Sequence, residues 1–159
     1  MTIPNQKLRE ILFLLLFAEQ QGMKDEPATI ELIMEQLKVS KSNTLRSLEK
    51  VKLIQAQTHE IDKLLETVLI AYNLDRIQSV EKTALTLGAY ELFYEKVLPF
   101  KIVISEAIRL TKKFGSPAAT AFVNALLDAL YKLKQGEPMD EEKIKKTFEE
   151  LQQSNDSSH

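Results

Sequence analysis

Apolar residues along this chain recur every three or four positions, and no stretch alternates with the two-residue period of a strand, so helices are predicted throughout. Leu8, Ile11, Leu12, Leu15 and Leu16 draw the first stripe, from about Gln6 to a stop at Gly22. That segment is apolar almost all round, which predicts a helix buried centrally. After the polar break Asp25–Pro27, Ile30, Ile33, Met34 and Leu37 form the face of a second helix. Ser40 then caps a third, carrying Leu45, Leu48, Val51 and Leu53. The pattern leaves open whether the chain stays helical through QAQTHE. Ile61, Leu64, Leu65, Val68 and Leu69 mark the next helix, and Asn73–Gln78 interrupts it. Ser79 reads as the cap of another, with Glu81 in its first turn and Leu85, Leu87, Tyr90, Leu92 and Phe93 as its apolar body.

The clearest punctuation lies between Ile102 and Leu130. Lys112 and Lys113 fall in a last helical turn, where positive charge suits the dipole, and Gly115 takes the C-terminal capping position. Ser116 and Pro117 read as the N-cap and first residue of the next helix. That helix is nearly all apolar, yet it keeps a polar stripe of Thr120, Asn124 and Asp128 beside Phe122. A last amphipathic helix runs from about Asp140 through Ile144, Phe148 and Leu151. Together these elements predict an all-α fold: two small helical bundles packed into one compact domain, residues 1–76 and 77–153, with 154–159 a disordered tail.

Composition narrows the chemistry. Cysteine is absent, which excludes thiol catalysis and cysteine metal ligands and fits a reducing compartment, so a cytoplasmic location is expected. The run Ile11–Ala18 is far shorter than the roughly 20 apolar residues that span a bilayer, so no membrane role is expected. Lys7 and Arg9 ahead of it imitate the charged start of a secretion signal, but Glu19, Gln20 and Gln21 follow with no small-residue cleavage site. A net charge of -2 lacks the global basic field of a stand-alone nucleic-acid binder, so such contacts must be local or assisted. His59 and His159 have no second ligand at helical spacing, and there is no glycine-rich phosphate loop or nucleophile elbow. Glu141 and Glu142 beside Lys145 and Lys146 read as i,i+4 pairs rather than as acid and base. No catalytic residue, metal site or cofactor is expected.

Six motifs in order then carry a resemblance: Glu81 and Lys82, Tyr90 to Leu92, Pro99, Val103 to Ala107, Lys112 to Gly115, and Phe122 to Asp128. Their sequence and spacing closely resemble the NusB family of transcription antitermination factors. Leu74, Asp75 and Arg76 look like that family's linker element, and Arg9, Glu10, Leu16 and Phe17 like its first helix. The resemblance implies a two-bundle helical fold without enzymatic activity. It also implies binding to the boxA element of nascent RNA together with ribosomal protein NusE, in an antitermination complex with RNA polymerase, notably on ribosomal RNA operons.

On this resemblance the RNA-facing set is Lys7, Arg9, Phe17, Lys101, Lys112, Lys113, Ser116, Phe122 and Asn124. The physical reading agrees in part: open amides at Ser116 and Pro117 suit a phosphate, the lysines add charge, and a partly exposed Phe122 would stack on a base. Phe122 serves equally as a core residue with Leu126 and Ala129, and Asn124 and Asp128 equally as structural polar contacts. The partner-facing set is Asp75, Glu81 and Lys82, whose acids complement a basic ribosomal protein. Tyr90 and Glu91 are expected to be architectural. The chain departs from the family in its arginine-poor start, in Phe17 and Phe100 for Tyr, Thr86 for Arg, Ser105 for Asn and Ala125 for Gly. These departures sustain a second expectation, a protein-interaction module of the same fold, monomeric or homodimeric, with weak or lost RNA binding. A third, an accessory domain like that fused to some RNA cytosine methyltransferases, requires catalytic motifs that these residues lack.

Overall fold

The computed structural model describes residues 5–70 and 72–157, and the described elements are helical, in keeping with the all-α expectation. In order they are α1 (Asn5–Gln20), α2 (Glu26–Leu37), α3 (Lys41–Ala56), α4 (Thr58–Leu69), a 3-10 turn (Leu74–Arg76), α5 (Ser79–Tyr90), a π turn (Glu91–Glu95), α6 (Phe100–Phe114), α7 (Pro117–Gln135) and α8 (Glu141–Ser157). The chain divides into two compact units, Met1–Thr58 and His59–His159.

In the first unit α1 packs on both α2 and α3. Ile11, Leu12, Phe13, Leu15 and Leu16 of α1, Ile30, Ile33 and Leu37 of α2, and Val51 and Ile54 of α3 are buried. Local sequence sets the helix ends. Asp25 accepts the Ala28 N–H at 3.2 Å, Pro27 follows in the first turn, and Ser40 accepts the Asn43 N–H at 3.1 Å. Between them Lys38 turns left-handed at φ 55 and ends α2.

In the second unit α5 packs against α6 and α7 and is buried from Thr83 to Ala89. Gly88 permits the α5–α7 approach: a Cβ there would lie 2.9 Å from Leu127 Cδ2. The π turn after Tyr90 is completed by Lys134, whose Nζ donates to the Leu92 carbonyl at 2.7 Å and lies 5.9 Å from the Phe93 ring centre. α8 packs on α7 through Ile144, Phe148 and Leu151.

Several expectations about boundaries are corrected. The two units part at Thr58 rather than near Arg76, because α4 belongs with the second: Asp62 pairs with Lys82 at 3.8 Å, and just beyond α4 the Tyr72 ring lies tilted against Phe148 at 4.0 Å. The expected tail from 154 is corrected over 154–157, where α8 continues through Ser157; residues 158 and 159 lie outside the described residues. Ser79 is the first residue of α5 rather than its cap. The capping residue is Gln78, which makes no side-chain cap bond, while the Ser79 carbonyl accepts the Thr83 hydroxyl at 2.6 Å. Gly115 does end α6, but at φ -128 and not in the left-handed region. Glycine is needed there for space: a Cβ would stand 2.8 Å from both the Thr111 carbonyl oxygen and Val80 Cγ1.

Candidate nucleic-acid and partner interface

The basic stretch lies at the end of α6. Lys112 and Lys113 are exposed, and Lys113 Nζ lies 5.7 Å from the Phe114 ring centre. Lys101 is exposed in the first turn of the same helix, eleven residues before Lys112, which places both on one face about 16 Å apart. Ser116 then starts α7, accepting the Ala119 N–H at 3.3 Å and leaving the positive end of a 19-residue helix beside the two lysines.

The polar stripe of α7 proves mostly local. The Thr120 hydroxyl donates to the Pro117 carbonyl at 2.6 Å, and Asp128 pairs with Lys132 at 3.1 Å. Asn124 is half-buried and makes no side-chain hydrogen bond among the described residues. Phe122 is 0% exposed, its ring 5.5 Å from that of Phe148. The expectation of a partly exposed ring is thus corrected: α8 brings an aromatic partner to a position that helical periodicity alone left open.

A second feature lies where α4 runs into α5. Glu66, Ile70, Tyr72, Asn73, Leu74, Asp75 and Lys82 line a depression of about 620 Å³. Asp75 and Lys82, both expected on the partner-facing side, line this depression, and Glu66, which sequence reasoning did not single out, joins them. Its signal was helical spacing, four residues beyond Asp62 on α4. Lys82 is held by Asp62, whereas neither Glu66 nor Asp75 has an ion-pair partner among the described residues, so the rim is acidic.

Glu81 does not belong to that rim. It is 3% exposed in the first turn of α5, and its Oε2 has no hydrogen-bond partner. Burial raises its pKa, and its own backbone N–H opposes the rise. Thr86, standing where the family often has Arg, is also buried with an unpartnered hydroxyl oxygen, so it brings no counter-charge. The partner-facing expectation for Glu81 is corrected to a buried carboxyl beneath the surface, because α5 is enclosed by its neighbours along most of its length.

In the first unit, Lys7 is paired with Glu10 at 3.8 Å. Arg9 is half-buried, and Phe17 is half-buried with its ring parallel to Phe13 at 6.3 Å. Among the described residues no group of three His, Cys, Asp or Glu side chains is placed to hold a metal ion, and no helix is long and apolar enough to cross a membrane.

The model of the NusB family matches residues 6–132. The chain belongs to the NusB family. A transcription antitermination protein NusB from Chlamydia pneumoniae is 34% identical over 128 residues, 80% of this chain and 80% of the relative. A solved structure of the antitermination factors NusB and NusE in complex with dsRNA is 26% identical with a TM-score of 0.68, covering 80% of this chain and 96% of that one. T. maritima NusB is similar at 28% identity and a TM-score of 0.68, over 91% of this chain and 99% of its own. The NusB match includes the basic end of α6, the start of α7 and the acidic depression, and ends before α8.

Proposed function

We propose that this chain is a non-catalytic, cytoplasmic transcription antitermination factor. In this reading it binds boxA-type single-stranded RNA of nascent transcripts, ribosomal RNA among them, together with ribosomal protein NusE in an antitermination complex with RNA polymerase. The observation that carries the reading is that the second unit carries both an exposed basic stretch and an acidic rim. Exposed Lys101, Lys112 and Lys113 lead to the Ser116-capped start of α7, while Glu66 and Asp75 rim the depression between α4 and α5. A polyanion and a basic protein need opposite fields, so one factor that holds both needs two such surfaces. Membership of the NusB family supports the same assignment.

In this reading the lysines and the first amides of α7 hold phosphates, with Asn124 beside them, and Lys7, Arg9 and Phe17 supply contacts from the first unit. Asp75, Glu66 and Lys82 receive NusE, and buried Glu81 supports that surface from below. The test is equilibrium binding of boxA RNA and a scrambled RNA at two salt concentrations, with and without NusE. Selective binding that tightens with NusE is expected. Lys112→Ala with Lys113→Ala should lower the salt slope by about 0.7 per lost contact without changing the helical circular dichroism. Equal affinity for both RNAs, with and without NusE, rejects the RNA assignment. The second reading, a protein-interaction module with weak RNA binding, draws on the Lys7–Glu10 pair and the covered Phe122 ring. It requires NusE binding without RNA selectivity.

A further inference from the structure

Phe148 is the most enclosed apolar anchor of α8, at 1% exposure, and three side chains surround its ring. Tyr72 stands 4.0 Å away, Phe122 5.5 Å away, and the Arg76 guanidinium 5.3 Å from the ring centre. Arg76 also lies 5.8 Å from the centre of the Tyr72 ring while its side chain remains exposed. Two aromatic rings, tilted by 32° and 58° to it, and a guanidinium surround one flat ring, the groups that also receive unpaired nucleobases. Here α8 supplies the ring.

α8 packs on α7 along one apolar stripe. It lies beyond the span matched by the family model, and its buried residues are confined to Ile144, Thr147, Phe148 and Leu151. Gly136 opens the connection to it at φ 73, in space where an added Cβ would meet nothing within 4 Å. Glu137, Pro138 and Asp140 of the connection are exposed. Past Lys146 every charged side chain of α8 is acidic: Glu149, Glu150 and Asp156. The Phe148 ring offers Tyr72, Arg76 and Phe122 what a base offers, a flat aromatic ring.

We propose that α8 is a built-in competitor that occupies a base-stacking seat formed by Tyr72, Arg76 and Phe122, and that single-stranded RNA held at Lys112–Ser116 displaces it. The proposal rests on the RNA-binding reading above and adds its regulation: RNA affinity is set by how readily α8 opens. It also gives Phe122 both roles in turn, core residue when α8 is docked and stacking partner when it is not.

Hydrogen–deuterium exchange on the full chain with NusE, with and without boxA RNA, tests the displacement. The α8 amides should exchange about tenfold faster or more once RNA is bound, while those of α7 keep their protection. Unchanged or slower α8 exchange with RNA bound overturns the proposal. Phe148→Ala in the full chain gives the second test: RNA affinity should rise about tenfold, since the closed form no longer lowers the competent fraction, with NusE affinity unchanged. Equal or weaker RNA binding by a variant with native circular dichroism overturns the competitor role and leaves the RNA reading standing. Absence of RNA binding by both proteins, with and without NusE, overturns both.

Discussion

At the α6–α7 turn the charged pair Lys112 and Lys113 stays in water, and the next helix is capped by its own Ser116. Where α4 meets α5, the charged pair is Glu81 and Lys82, and it is drawn inward: Glu81 is buried, Lys82 is held by Asp62, and Gln78 makes no cap bond. The two helix starts therefore solve the same problem, four unsatisfied amides, in different ways. One uses a side chain three residues away and keeps its lysines exposed. The other has no bond from its capping residue; buried Glu81 accepts from its own backbone N–H and leaves Oε2 without a partner. A capping side chain at the surface keeps a helix end open to solvent, whereas a buried acid in the first turn ties it into the core.

The largest expected effect comes from the side chain that crosses this division. Phe122 follows the open start of α7 yet is fully buried, so Phe122→Ala should lower stability by about 3 to 5 kcal/mol in urea unfolding. A loss below about 1 kcal/mol would mean that its burial contributes little and would blur the contrast. Gly115→Ala comes next, at about 1 to 3 kcal/mol, because the new methyl meets the Thr111 carbonyl and Val80. Its cost would show that the α6–α7 turn, although capped locally, is also fixed by close approach to α5.

Ser116→Ala against Gln78→Ala sharpens the comparison directly. Removing the Ser116 cap should cost about 1 kcal/mol, whereas removing Gln78 should stay within about 0.5 kcal/mol, both read from thermal or urea unfolding. Equal costs would show that the two helix starts do not differ in kind. The smallest effect is expected from Glu81→Gln and appears as a pH dependence. Burial raises the folded-state pKa of Glu81, so the folded chain keeps a proton over a range in which the unfolded chain has lost it. Glu81 therefore lowers stability as pH rises from the ordinary carboxylate value through the raised one. The variant should gain over the parent above that window and show no gain below it. A gain of the same size at every pH would assign the effect to packing rather than to charge.

How much was legible follows the same division. The first helix, its stop at Gly22, and the caps at Ser40 and Ser116 were all readable, as were the lysines ending α6, whereas Asp25 was read only as part of a break. The ordered motifs from Glu81 to Asp128 were enough to place the chain in its family. Asp75 and Lys82 were singled out by resemblance, but Glu66 was not, because its place in the depression depends on how α4 meets the linker. Gly115 was assigned correctly as a helix end, but that space rather than torsion selects glycine there was not legible.

By itself the sequence determined what can be settled within one helical turn. Hydrophobic period, side-chain caps and terminal charges act over three or four residues, and their partners are adjacent in the chain. Only the tertiary structure decided that Glu81 is buried, that Asp62 claims Lys82, and that Phe148 closes over Phe122, Tyr72 and Arg76. Those outcomes join residues far apart in sequence. Desolvation and aromatic contact depend on what a different helix brings to the same place, and a one-dimensional pattern carries no record of it.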